Sequence, residues 1–162
     1  MATIRDPYFI DDFIEVVRSL IREADTLASI MYDERECLRE WLTPGFLNIF
    51  HNDVLYLTEK RIERLLSVRA TLEEQLKRIG NYPYLMHRLT DMCNIVDKLL
   101  RICSHRKYLL ERNPVSYSYL HEIATEALSL YDAEIDYFRH FSDCAKASID
   151  RAQYELACET QT

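Results

Sequence analysis

Residues that interrupt helices are nearly absent from this chain, and the few present are gathered at four places. Its two glycines are Gly45 and Gly80, and its four prolines are Pro7, Pro44, Pro83 and Pro114. Proline removes an amide donor and clashes with the preceding turn, so it ends or opens helices. Glycine marks points where the backbone must turn. A chain that confines both to four sites is divided by them into a few long helices. Within each stretch the apolar residues recur three and four apart, the period of an amphipathic helix, and no segment shows the period-two alternation of a strand.

The spacing predicts four helices in a single domain over 1–162, at about 7–42, 44–79, 83–112 and 116–158. Asp6 and Pro7 read as the cap and first residue of the first helix, and Thr43-Pro44-Gly45 repeats that signal for the second. The first helix carries one stripe at Phe13, Val16, Leu20, Leu27, Ile30, Cys37 and Trp41, and a second at Ile10, Ile14, Val17, Ile21, Ala24, Ala28 and Met31. A face that wide packs against two neighbours. Charges crowding from Tyr32 to Glu36 admit a break there. The second stripe-bearing stretch runs from Leu47 through Leu57, Leu65 and Leu72 to Ile79, and Gly80 follows Lys77 and Arg78 as a C-terminal cap. The third reads Leu85, Leu89, Met92, Val96, Leu99, Cys103 and Leu110, and the fourth Leu120, Ala124, Ala127, Tyr131, Phe138, Phe141, Ala145 and Ile149. Amphipathic helices joined by short turns give an all-α fold: an elongated antiparallel, up-down-up-down four-helix bundle with long coiled-coil-like helices.

Charge and cysteine content exclude several classes. No run of eighteen apolar residues occurs, so membrane insertion is not expected. The start of the chain lacks the apolar core of a secretory signal. The five cysteines, Cys37, Cys93, Cys103, Cys144 and Cys158, show no Cys-x-x-Cys pairing and read as reduced thiols in a cytoplasmic setting. An extracellular disulfide framework is the alternative. The net charge of -7 opposes binding to nucleic acid. That charge divides unevenly: residues 1–42 hold five bases and ten acids, 46–80 six and five, 83–113 six and three, and 115–162 three and nine. Acidic outer helices beside a basic third one suggest charge complementarity within the fold.

No motif for catalysis stands in the sequence. There is no glycine-rich phosphate loop, His-Glu-x-x-His or nucleophile elbow. A carboxylate-bridged di-metal bundle needs Glu-x-x-His on two helices. The residues three before His51, His87, His105, His121 and His140 are Asn48, Tyr84, Ile102, Ser118 and Tyr137, none acidic, so no catalytic residue, metal ligand or cofactor is expected. What stands out are charges on core beats: Glu23, Glu34, Arg106 and Glu134. They form a polar layer or pocket if buried, or reach solvent at the edge of a drifting stripe. His87 with Asp91 and Asp136 with His140 are acid–histidine pairs one turn apart, a spacing common on helix faces. The basic run containing Lys98, Arg101, Arg106 and Lys107 is a candidate anion-binding face, or a solvated face answering the acidic helices.

Two stretches resemble known families. Thr58-Glu59-Lys60 through Ile79-Gly80, preceded by a helix with Glu34 and Arg35, is similar to the flagellar type III export chaperones, a resemblance covering about residues 13–80. The Trp41–Phe50 insertion, with its proline turn, departs from that pattern. The segment Tyr137-Phe138-Arg139 through Ile149-Asp150 is similar to the cytosolic stalk of CorA-type magnesium channels, whose membrane helices and Gly-Met-Asn filter are missing here.

The leading functional expectation is therefore a non-enzymatic protein-binding bundle, an adaptor, assembly subunit or chaperone. Its partner would be a helical segment of another protein, or a second copy, seated on Phe9, Phe13 and Val17 or beside Phe138 and Phe141. The alternative is a sensor bundle holding a small molecule or metal between its helices, with Glu23, Glu34, Arg106, Glu134 and His140 as pocket groups.

Overall fold

In a computed structural model, which describes residues 8–40, 42, 47–111 and 117–160, the chain forms four helices and, among the described residues, no strand. They are α1 (Phe9–Arg39), α2 (Leu47–Arg78), α3 (Pro83–Glu111) and α4 (Tyr117–Thr160). At ~1.5 Å per residue they span roughly 44–66 Å, so the bundle is elongated. The proposed caps at Asp6-Pro7 and Thr43-Pro44-Gly45, together with Trp41 and Pro114, lie outside the described residues.

Cross-helix pairs fix the direction of every neighbour. Arg35 meets Asp132 and Asp25 meets Ser142 between α1 and α4. Arg69 meets Asp97 and Thr58 meets Arg106 between α2 and α3. His105 faces Glu126 between α3 and α4, while Lys98 sits over the Tyr137 ring. In each case one residue number rises as the other falls, so the neighbours are antiparallel and the topology is up-down-up-down.

The core is continuous. Phe9, Phe13, Val17 and Met31 of α1 pack with Phe50, Leu65 and Leu72 of α2, Leu85, Leu89, Met92 and Leu99 of α3, and Tyr131, Phe138 and Phe141 of α4. Each such side chain contributes about 1.5–3 kcal/mol by leaving water. No break occurs at Tyr32–Glu36: α1 runs unbroken to Arg39 because Arg35 is tied to Asp132 and Glu36 and lies over the Tyr32 ring, which settles the crowded charges. Gly80 ends the second helical stretch with φ +58, and its nearest neighbour to an added Cβ would be the Arg78 carbonyl at 3.9 Å. Only its backbone conformation requires glycine there.

The four seams are not equal. The α1–α4, α4–α3 and α3–α2 seams pack closely, while α1 approaches α2 at few positions. This leaves part of the first α1 stripe uncovered: Val16 is half-buried, and Ile30 and Cys37 are exposed although both fall on core beats. On the α2 side Leu57 and Val68 are likewise only half-buried.

Candidate functional site

Two features distinguish this bundle from a plain apolar one: a buried polar layer to which all four helices contribute, and the open α1–α2 seam.

The layer is built where charged residues replace apolar ones on core beats. Arg106 of α3 and Glu134 of α4 are both 0% exposed and form a charge-assisted pair through Arg106 Nη1 and Glu134 Oε1. Arg106 Nε donates to Thr58 Oγ1 of α2 at 2.8 Å. Arg61 of α2 donates from Nη2 to Glu34 Oε2 of α1 at 2.5 Å, and its Nε lies 3.7 Å from Glu134 Oε2. Tyr131 of α4 donates to the same Glu34 oxygen at 3.0 Å. The Arg106 guanidinium stacks 4.6 Å over the Tyr131 ring. The Cys103 thiol donates to Glu134 Oε2 at 3.5 Å.

Two guanidiniums and two carboxylates make the layer neutral, the arrangement that lets charges persist away from water. Burial pushes the Tyr131 phenol up to about 12 and the Cys103 thiol above its ordinary value, so both stay protonated near neutrality. Burial likewise lowers Arg106 from its ordinary value. Arg61 Nη1 is the layer's one buried nitrogen without a hydrogen-bond partner among the described residues. Each polar side chain is held by groups within the layer, which suits a device fixing helix order and register better than a reacting centre.

The seam is bridged by ion pairs with little close helix packing beside them, whereas the other three seams add ion pairs to close packing. Asp12, Glu23 and Glu34 stand eleven residues apart on α1, three helical turns each, and so stay on one face. They reach Arg78 at 3.0 Å, Arg64 at 2.8 Å and Arg61 at 2.5 Å on α2. Long arginines bridge helices that stand too far apart for apolar side chains to interlock. Two hollows lie along the seam beside these bridges. One, of about 690 Å³, is lined by Val16, Ser19, Leu20, Arg22, Glu23 and Thr26 of α1 and by Arg64, Ser67, Val68 and Thr71 of α2. The other, of about 350 Å³, is lined by Ile30, Asp33, Glu34, Cys37, Leu38, Asp53 and Leu57. The core beneath the larger hollow is filled: only about 10 Å³ remains among Leu20, Leu65, Val68, Val96, Phe138 and Phe141. That is room for one water at most.

The residues singled out by sequence separate accordingly. Glu34, Arg106 and Glu134 meet in the buried layer, while Glu23 lies in the open seam with Arg64. Phe9, Phe13, Val17, Phe138 and Phe141 are 0–3% exposed, which corrects their placing on a partner face: α1 and α4 bury these side chains against the bundle's own interior. The basic run does not share one face. Lys98 and Arg101 are exposed, Lys107 lies 3.9 Å from Glu59 and 3.8 Å from Glu111, and Arg106 points inward to Glu134. His87 and Asp91 approach to 3.6 Å on the surface, whereas Asp136 and His140 lie exposed on α4. Among the described residues no three His, Cys, Asp or Glu side chains are grouped to hold a metal ion, and no helix is long and apolar enough to cross a membrane.

Sequence reasoning missed Arg61, Thr58, Tyr131 and the seam. Arg61 left a signal, since it sits midway in the eight-residue gap between Leu57 and Leu65 on the α2 stripe. The chain matches no protein-family model, no curated protein and no solved structure, so neither resemblance noted in the sequence gains support there.

Proposed function

We propose that this chain is a non-enzymatic protein-binding bundle, acting as an adaptor, assembly subunit or chaperone, that receives a helical segment of another protein along the α1–α2 seam. The open seam carries the reading. Two hollows lie in line on it, from Val16 to Leu38, a distance of about 33 Å along α1. A small ligand is normally enclosed over most of its surface; a shallow trough of this length suits a helix laid lengthwise. Ser19, Thr26, Ser67 and Thr71 keep the rims short and hydrogen-bonding, so a backbone can approach. The five free thiols suit the reducing cytoplasm.

The test is site-specific photocrosslinking in cells that make the protein, with the crosslinker at Ser67 in the seam or at Arg101 on the far side of the bundle. A discrete adduct from Ser67, absent from Arg101 and lost when Thr71 is changed to tryptophan, is the expected result. Equal labelling from both positions would remove the basis for the reading.

A further inference from the structure

The two ends of the seam carry opposite unspent charge, and the geometry points to a partner of definite chemistry and direction: an amphipathic helix running parallel to α1, with a carboxylate in its N-terminal half facing Arg22 and a basic side chain about three turns later facing Asp33 and Asp53. This inference rests on the protein-binding reading above and goes beyond it by naming the partner's charge order.

The argument begins with what the seam's own charges leave unmatched. Glu23 and Arg64 neutralise each other across the larger hollow, and Glu34 is committed to Arg61. Arg22, exposed on the rim of that hollow, has no ion-pair partner among the described residues. In the smaller hollow Asp33 and Asp53, one from each helix, are likewise exposed and without an ion-pair partner among the described residues. One end of the trough therefore presents a spare cation and the other two spare anions.

Arg22 and Asp33 stand eleven residues apart, which places them three turns and about 16 Å apart on one side of α1. A straight partner helix repeats the same spacing on the face it offers. Along its length it meets Val16, Leu20 and Val68 in the first hollow and Ile30 and Leu57 in the second, so it needs an apolar stripe. Length agrees as well: the larger hollow runs from Val16 to Thr26, about 15 Å or roughly three turns along α1. Direction follows from the helix dipole. Acidic side chains favour the first turns of a helix and basic ones the last. A partner with its acid end at Arg22 and its basic end at Asp33 runs with α1 and against α2.

The experiment selects binders from a displayed library of amphipathic 20-residue helices, with charge left free at the positions flanking the apolar stripe, against the full chain. The expected winners place Asp or Glu about eleven residues before Lys or Arg. Arg22→Glu should weaken them about tenfold or more, and replacing the peptide's acid by lysine should restore binding to that variant. A nitroxide at the peptide N-terminus should broaden signals near Ser19 and Thr71 rather than near Cys37. Winners that need the seam, lost with Ser67→Trp, but show no charge order or the reverse order overturn this inference and leave the protein-binding reading standing. Winners indifferent to Ser67→Trp, or no winners at all, overturn both. A stable dimer in which Ser67 is shielded assigns the seam to a second copy and overturns the inference.

Discussion

Replacing Glu134 by leucine removes the one anion that two buried arginines share. Arg106 Nη1 binds Glu134 Oε1, and Arg61 Nε lies 3.7 Å from Oε2. The substitution leaves Arg61, Arg106 and Glu34 together, one positive charge in excess in a layer whose Arg106 and position 134 are both 0% exposed. Leaving a buried charge uncompensated costs about 3–5 kcal/mol. Arg106→Met alone should cost a similar amount, because it leaves Glu34 and Glu134 against Arg61. The double variant Arg106→Met/Glu134→Leu restores neutrality, since Arg61 keeps Glu34 at 2.5 Å, and fills the space with apolar atoms. It should lie within about 2 kcal/mol of the parent, and since the single variants cost about 3 kcal/mol or more each, the interaction energy in the cycle should be at least about 4 kcal/mol. Urea unfolding followed by helical circular dichroism measures all four proteins. Single variants within about 1 kcal/mol of the parent, or a double variant as unstable as the two singles summed, would refute the sealed, charge-balanced layer.

Three further outcomes follow from the same structure. Gly80→Ala should destabilise the chain by about 1–2 kcal/mol through left-handed backbone strain alone, since φ is +58 with no close neighbour to an added Cβ; Gly80→Asn should cost less, and equal stability of alanine and glycine would contradict the cap. Stability should hold at neutral pH and fall as pH rises from about 10 toward 12: the Tyr131 proton is held more tightly in the folded state, so the stabilisation present below the unfolded value is lost as pH climbs through the folded one. Cys93, Cys103 and Cys144 shift the same way by burial, and a denaturation midpoint flat from pH 9 to 12 would count against this. In the native protein a thiol reagent should label Cys37 and Cys158 quickly and the three buried cysteines only on unfolding, so mass spectrometry showing early modification of Cys103 would contradict the sealed core.

The helices were legible because Pro83 and Gly80 stand where the chain turns and apolar residues keep the three-four beat between them. The layer was half legible. Glu34, Arg106 and Glu134 each interrupt an apolar stripe, and Arg61 does so in the gap before Leu65, but Tyr131 passes for an ordinary stripe member and Thr58 lies beside the stripe, next to Leu57. Glu23 interrupts its stripe in the same way and yet lies in the open seam beside Arg64. Periodicity reports which face of a helix turns inward, not whether the neighbour across that face is close. For the same reason Phe9, Phe13 and Phe138 looked equally suited to a partner and to the bundle's interior, since both need an apolar face. The seam itself depends on where α1 sits against α2, which three acid–arginine bridges decide and no single helix records.

The most direct test of the open seam is a pair of electron-spin distance measurements on the purified chain. One places labels at Ser19 and Thr71, across α1–α2, and the other at Arg18 and Asp150, across the closely packed α1–α4 seam. The account predicts a longer and broader distribution for Ser19–Thr71, narrowing when a seam-binding helix is added while the Arg18–Asp150 distribution stays fixed. A Ser19–Thr71 distribution as short and sharp as the other, unchanged by any binder, would contradict it.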